Sequence, residues 1–339
     1  MRVVLDPQLF APPLEHLSLP GLFDYGVRDE HRIDVDLEHP AVVAWLEAQP
    51  ADARALYVFA VESSAEQEML HPSATSIFVT TVEQSSWDSE PPRLTLSDTR
   101  RLLRRTFEIY VEDGTNDRAF LLAMMKTEER DLIEQLEQEE RLQFVHGGGS
   151  RLKTEVGRRA ELPGARLQTW VLTDSDAMRP GAPSRGSQDV VDVCTAARIP
   201  HHRLGRRYIE SYLPPAALER WGAARPSRRR TNLPIARAFG RMSGPQRHHF
   251  NMKEGFDADM PRRGEADGLY DELDALARER LGPGFGRKIG ELFQGRYPGS
   301  EGNRPEDRLE LFEQELRRDG GWEELRPAIR ELLAHLGVS

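Results

Sequence analysis

Two stretches decide how this chain reads: FEIYVEDGTNDRAFL at 107–121 and WVLTDSDA at 170–177. In the first, an apolar run rich in β-branched and aromatic residues (107–111) ends at Glu112. A turn containing Gly114 follows, and residues 115–125 then carry the apolar face of a helix. In the second, a strand spanning 166–173 ends at Asp174 and Asp176. A short strand at 143–146 lies between them and a helix at 188–197 follows. Alternation of this kind implies a parallel sheet with crossover helices. Polar residues just beyond the C-terminal ends of such strands face the usual ligand crevice, so Glu112 and the Asp174–Asp176 pair belong to one rim.

Three carboxylates crowded at the ends of buried strands repel one another, and burial favours their protonated forms. A divalent cation removes that cost, and hard Mg²⁺ takes a few carboxylates while water and substrate phosphate complete its octahedron. Asp174 and Asp176 are one residue apart, so both point the same way from an extended strand. From a loop at the strand end both reach one ion. Alone, an Asp-x-Asp of this kind is more often a loop or a helix cap.

The arrangement resembles the Toprim domain of topoisomerases, primases and the OLD (overcoming lysogenization defect) nucleases: a strand ending in Glu, a Gly-containing turn, and a later strand ending in Asp-x-Asp. The 62 residues from Glu112 to Asp174 suit the intervening strand and helices. Three further matches resemble the OLD-like, anti-phage defence branch. Asp117 stands where that branch carries a second acid on the first helix. RRYIESYL at 206–213 is similar to its Arg-x-x-Glu-Asn-Tyr-Leu element, with Ser211 in place of Asn. HHFNMKEGF at 248–256 is similar to a late Lys-Gly element and would bring Lys253 near the phosphate. One departure stands out, because the family's Glu directly precedes Gly whereas here Asp113 intervenes before Gly114. Either Asp113 replaces the Glu or one residue is inserted; Glu112 is preferred because it ends the apolar strand.

The resemblance implies that Glu112, Asp174 and Asp176 bind Mg²⁺ (or Mn²⁺) for an in-line phosphodiester displacement. Asp113 is the alternative first ligand, Asp117 and Glu210 would hold a second ion, and Lys253 would neutralise charge on the phosphate. Arg206, Arg207, Arg228, Arg229, Arg230 and Arg247 would grip a nucleic-acid backbone. His248 and His249 offer at most one metal ligand, since adjacent side chains point apart. HGGGS at 146–150 could contact phosphate through its N–H groups, but a plain glycine turn is the simpler reading. No Walker motif occurs in the chain, so the resemblance implies a separate ABC-type ATPase partner.

Outward from this centre the chain changes character. Residues 1–95 form an acidic, strand-rich mixed module, with 5 Lys+Arg against 16 Asp+Glu, strands at 55–61 and 76–82 and a helix at 40–48. Residues 86–92 have linker composition, and 96–105 read as a helix with Ser97 as its cap. Residues 201–250 are basic, with 11 Arg against Glu210 and Glu219, a phosphate-binding surface in an otherwise acidic chain of net charge -10. Residues 222–267 read as irregular apart from a helix at 233–240. Helices at 265–281, 286–293, 305–318 and 322–336 then form a C-terminal module. The expected division is thus 1–95, a Toprim-like α/β catalytic domain at 96–260, and a helical module at 261–339.

Cys194 is the only cysteine, which excludes an intrachain disulfide or a cysteine-based zinc cluster, fits a reducing cytoplasm, and suits packing within a helix. No run of 18 apolar residues exists, so no membrane span is expected. The first expectation is therefore a metal-dependent nuclease on DNA or RNA, tRNA included, acting in anti-phage defence. The alternative is a non-catalytic adaptor that regulates an ATPase partner. Topoisomerase or primase activity would want a tyrosine domain or zinc module for which the chain leaves little room. Self-association stays open.

Overall fold

The computed structural model describes residues 1–11, 19–148, 151–223, 226–294 and 314–337, with the side chains of 226–228 and 263 left out. The chain packs as two compact α/β units. One comprises Met1–Phe107, Leu162–Gln168 and Arg330–Ser339; the other comprises Glu108–Glu161 and Thr169–Ile329. Of the module expected at 261–339, the described residues 261–294 and 314–329 fall in the second unit. No described helix is long and apolar enough to cross a membrane.

In the first unit, β1 (Arg2–Leu5), β2 (Arg32–Asp34), β3 (Ser76–Val79) and β4 (Arg93–Leu94) form a parallel sheet in the order β2-β1-β3-β4. Alternation along β1 buries Val3 and Leu5. Helices α1 (Pro20–Val27), α2 (Pro40–Glu47), α3 (Ala51–Leu70) and α4 (Leu96–Leu103) supply the rest of the framework. An aromatic cluster centres on Trp45, with Phe23 stacked at 5.6 Å and Tyr57 at 5.3 Å. Residues 55–61, expected as a strand, lie inside α3. Their neighbours are good helix formers, and the buried positions Ala60, Val61 and Ser64 recur at helical spacing. Tertiary packing overrides the local strand preference of an aromatic and β-branched run. Thr95, not Ser97, caps α4, accepting from the Asp98 N–H.

The second unit follows the expected alternation: β5 (Phe107–Val111), α5 (Asn116–Ala123), α6 (Thr127–Gln138), β6 (Leu142–His146), α7 (Leu152–Ala160), β7 (Thr169–Thr173), α8 (Arg185–Ala196) and β8 (His201–Arg203). The sheet order is β6-β5-β7-β8, with β5–β7 and β7–β8 parallel, flanked by helices. All five residues of β7 are buried, as a strand covered on both faces requires. Cys194 is fully buried in α8, in agreement with its reading as a packing residue.

The region 222–267 is far more helical than its Arg, Gly and Pro content suggested. It contains the end of α9 (Pro215–Ala223), then α10 (Pro226–Gly240), α11 (Gly244–His249) and α12 (Gly255–Asp259). Ser243 and Gln246 form a capping box at the start of α11, so a helix signal was present there. The helix expected over 265–281 is broken. A 3₁₀ segment (Met260–Ala266) is followed by left-handed Asp267 (φ 47°) and Gly268 (φ 76°), and only α13 (Ala275–Leu281), capped by Asp274, is helical. Arg287–Gln294 is a 3₁₀ helix. Of the helix expected at 305–318, residues 305–313 lie outside the described residues, and 314–318 are helical. The chain closes with α14 (Gly321–His335).

Candidate acidic site at the ends of β5 and β7

Sheet order determines where a ligand could sit in the second unit. After β5 the chain crosses to β6 on one side, and after β7 it crosses to β8 on the other. The connections part at the C-terminal ends of these two neighbouring strands, which is where ligands usually bind in open α/β sheets. Glu112 and Asp113 follow β5; Asp174 and Asp176 follow β7.

The two candidates for the first carboxylate have different partners. Glu112 Oε1 reaches across to β7, accepting from Thr173 Oγ1 and from the Asp174 N–H at 3.2 Å each. Asp113 faces the start of α5, where it accepts from the N–H groups of Thr115 (3.0 Å) and Asn116 (3.2 Å) and from Asn116 Nδ2 (2.8 Å). Partial burial pushes Asp113 up, but those bonds outweigh it and hold the carboxyl below its ordinary range. Glu112 is held above its ordinary range by burial and by the Asp176 carboxylate.

Asp117, on the first turn of α5, is buried and accepts from the Asp113 N–H at 2.8 Å. Burial pushes it up to about 7, and Glu112, Glu210 and Asp113 add to the shift. Asp174 is raised well above the carboxylate range by burial and then by Glu112, Asp117 and Glu210. Its carbonyl accepts from Ser187 Oγ at 2.7 Å. Asp176 adopts a left-handed conformation (φ 50°), donates its N–H to Arg207 O at 3.0 Å and accepts from Ser184 Oγ at 3.2 Å. Glu112, Asp117 and Glu210 are thus near enough to act on Asp174, and Asp176 acts on Glu112.

Glu210, in the 3₁₀ segment Ile209–Tyr212, has no exposure at all. Lys253 Nζ lies 3.0 Å from its Oε1 as an ion pair, yet neither carboxylate oxygen has a well-directed hydrogen bond. Burial raises Glu210 and Lys253 pulls it back. Burial alone would lower Lys253, but Glu210, Asp174 and Asp117 raise it to about 12. Gly290 permits the tight packing: a Cβ there would lie 2.9 Å from Glu210 Oε1.

The basic flank is less available than its composition suggested. Arg206 is buried, paired with Asp319 at 2.7 Å and set over the Tyr212 ring at 4.4 Å. Arg207 is buried and held by both oxygens of Asp259, at 2.5 and 2.8 Å. Arg247 donates to Met242 O at 2.6 Å and to Asp319 at 3.0 Å. These three serve the interior, because a buried guanidinium needs a carboxylate more than an exposed one does. Arg229 and Arg230 are exposed on α10, whereas the Arg228 side chain lies outside the described residues. Both histidines are engaged elsewhere, His248 with Asp319 at 3.1 Å and His249 with Ala177 O at 2.9 Å. In the glycine segment, Gly147 and Gly148 donate to Val111 O and Glu112 O, so these two N–H groups hold the end of β5. Gly149 and Ser150 lie outside the described residues.

Sequence reasoning missed three supports of the site. Thr173 holds Glu112, Ser184 holds Asp176, and the Tyr208 ring lies 5.7 Å below Lys253 Nζ. Ser184 was findable, since Ser184 and Ser187 mark the start of α8 three residues before the expected 188.

The all-oxygen donor set and the surplus of carboxylates over cations suit a hard divalent ion. Glu210 Oε2, buried without a hydrogen-bond partner among the described residues, points the same way. Among the described residues, however, no three His, Cys, Asp or Glu side chains already converge as a metal-holding group. Glu112, Asp113 and Asp117 bond instead to nearby backbone N–H groups and would have to turn towards an ion. No family model, curated protein or solved structure matches the chain.

Proposed function

We propose that this protein is a metal-dependent phosphodiesterase, a Toprim-like nuclease of the OLD type acting on DNA or RNA. One observation carries the reading: at the carboxyl ends of β5 and β7, Glu112 bonds across to the Asp174 N–H, Lys253 is the cation beside buried Glu210, and the Asp174 carboxyl is pushed up by burial and by Glu112, Asp117 and Glu210. Such crowding is unfavourable on its own, and fold stability gives no reason to retain it.

Glu112, Asp174 and Asp176 would hold Mg²⁺ or Mn²⁺, with Asp117 and Glu210 beside them. The ion, when bound, supplies charge stabilisation for the attacking and leaving oxygens. Lys253, anchored by Glu210 and Tyr208, neutralises a phosphate oxygen. Ser184 and Thr173 orient Asp176 and Glu112, as supporting hydrogen bonds orient metal ligands elsewhere. Arg229 and Arg230 remain as backbone contacts. An ABC-type ATPase partner and a role in anti-phage defence belong to the same proposal.

The test incubates the purified chain with Mg²⁺ or Mn²⁺ and plasmid, linear DNA and tRNA, with and without the product of a neighbouring ATPase gene. Cleavage that Asp174→Asn abolishes supports the proposal. Metal binding without cleavage under every condition overturns it in favour of the adaptor.

A further inference from the structure

A cavity of about 670 Å³ opens in the second unit beside the acidic site, within the usual size of small-ligand pockets. Met178, Phe256, Leu269 and Tyr270 supply apolar and aromatic walls. Asp257, Asp271 and Glu279 stand at its edge with exposed carboxylates, while Asp259 is already paired with Arg207. Arg278, the cation of the lining, donates to Tyr270 O and Leu273 O and lies 3.8 Å from Asp271 Oδ1 as an ion pair. The cavity therefore offers apolar and aromatic walls with more carboxylates than cations along them, a lining that suits hydrogen-bond donors and disfavours phosphate.

Two chain segments pass directly from the acidic site into this cavity. Asp176 belongs to the first and Met178, two residues on, lines the second. Lys253 faces Glu210, and Phe256, three residues on, lines the cavity with its ring 4.9 Å from that of Tyr270. Left-handed Gly255 (φ 68°) makes the turn between them, and the bonds Phe285 N–H to Met252 O and Gly286 N–H to Lys253 O fix the segment. Three residues span at most about 11 Å, the scale of one nucleotide from phosphate to base.

The geometry points to a nucleoside subsite: the cavity receives one base of the phosphodiester substrate while its phosphate lies at Lys253. This rests on the proposed phosphodiesterase reading and adds a base preference to it. Guanine fits the edge chemistry because its adjacent N1–H and N2–H donors match one carboxylate in a bidentate pair. Uracil lacks that pair.

The experiment is a saturation-transfer NMR titration of the full chain, without metal, using guanosine, uridine and the dinucleotide GpU. Saturable binding is expected, with guanosine about tenfold tighter than uridine, the worth of one hydrogen bond to a charged group. GpU should bind more tightly than guanosine, which assigns the subsite to a strand rather than to a free nucleoside. The triple variant Asp257→Asn, Asp271→Asn, Glu279→Gln alters only exposed side chains and should erase the guanosine preference at unchanged Tm. Failure of every nucleoside to saturate, or a preference that survives all three substitutions, overturns the subsite. Because no metal is present, loss of the subsite with cleavage intact is distinguishable from loss of cleavage with nucleoside binding intact.

Discussion

Glu210 and Lys253 are the residues where burial and charge are most finely opposed. Glu210 is fully buried, and Lys253 is the cation beside it. Removing one member of a buried pair leaves an uncompensated charge, so Lys253→Met should destabilise the fold by about 3 kcal/mol in urea unfolding. Adding Glu210→Gln should recover most of that loss; a double variant as unstable as the sum of the singles would contradict the pairing. Asp174 should behave oppositely. Its carboxyl is crowded by Glu112, Asp117 and Glu210, so Asp174→Asn should cut metal-dependent cleavage by at least about 100-fold while leaving stability at pH 8 equal or higher. These residue types were legible, because an acid at the end of an apolar strand stands out from its neighbours. Their partners were not: Asp113 and Glu112 are adjacent in sequence, and only their hydrogen bonds distinguish a helix-start acceptor from a side chain that reaches β7.

At the scale of elements, Gly255 is the most constrained hinge of the site. Its φ of 68° is left-handed, and a Cβ would overlap Gly282 O, Gly284 N and Leu281 O. Gly255→Ala should therefore cost about 2 kcal/mol or more, read as a lower urea midpoint, and should weaken substrate binding by displacing Lys253. A neutral effect would mean that the close approach to 281–284 does not exist. The strands and helices around the sheet were readable because their periods are local. α3 was misread because an aromatic, β-branched run satisfies strand preference, and the good helix formers flanking it in the 20-residue segment decide otherwise. The second half of α10 was read as a helix at 233–240, whereas its first half and α11 were hidden by prolines and arginines that composition assigns to loops.

For the whole molecule, the acidic site should make stability depend on pH and, on the proposed metal-dependent reading, on divalent ions. A carboxyl whose pKa is raised in the folded state keeps a proton that the unfolded chain has already lost. Stability is then full below the unfolded value near 4 and falls as pH rises through the folded value, about 7 for Asp117. Tm should drop by a few degrees between pH 5 and pH 8, Asp117→Asn should flatten that slope, and millimolar Mg²⁺ should restore Tm at pH 8. A slope unchanged in Asp117→Asn, or Tm insensitive to Mg²⁺, would count against a shared buried cluster. The sequence by itself determined the α/β alternation, the strand ends at Glu112 and Asp174, and the acidic stretch at 1–95 and basic stretch at 201–250, because periodicity and charge are properties of neighbours along the chain. Only the tertiary structure decided that β5 and β7 lie side by side in the order β6-β5-β7-β8, that Glu210 and Lys253, named to the site by resemblance, pair with each other, and that Arg206, Arg207 and Arg247 are held by Asp319 and Asp259. Burial and pairing across such separations have no local signature, since the cost of an unpaired charge is fixed by whatever folds against it.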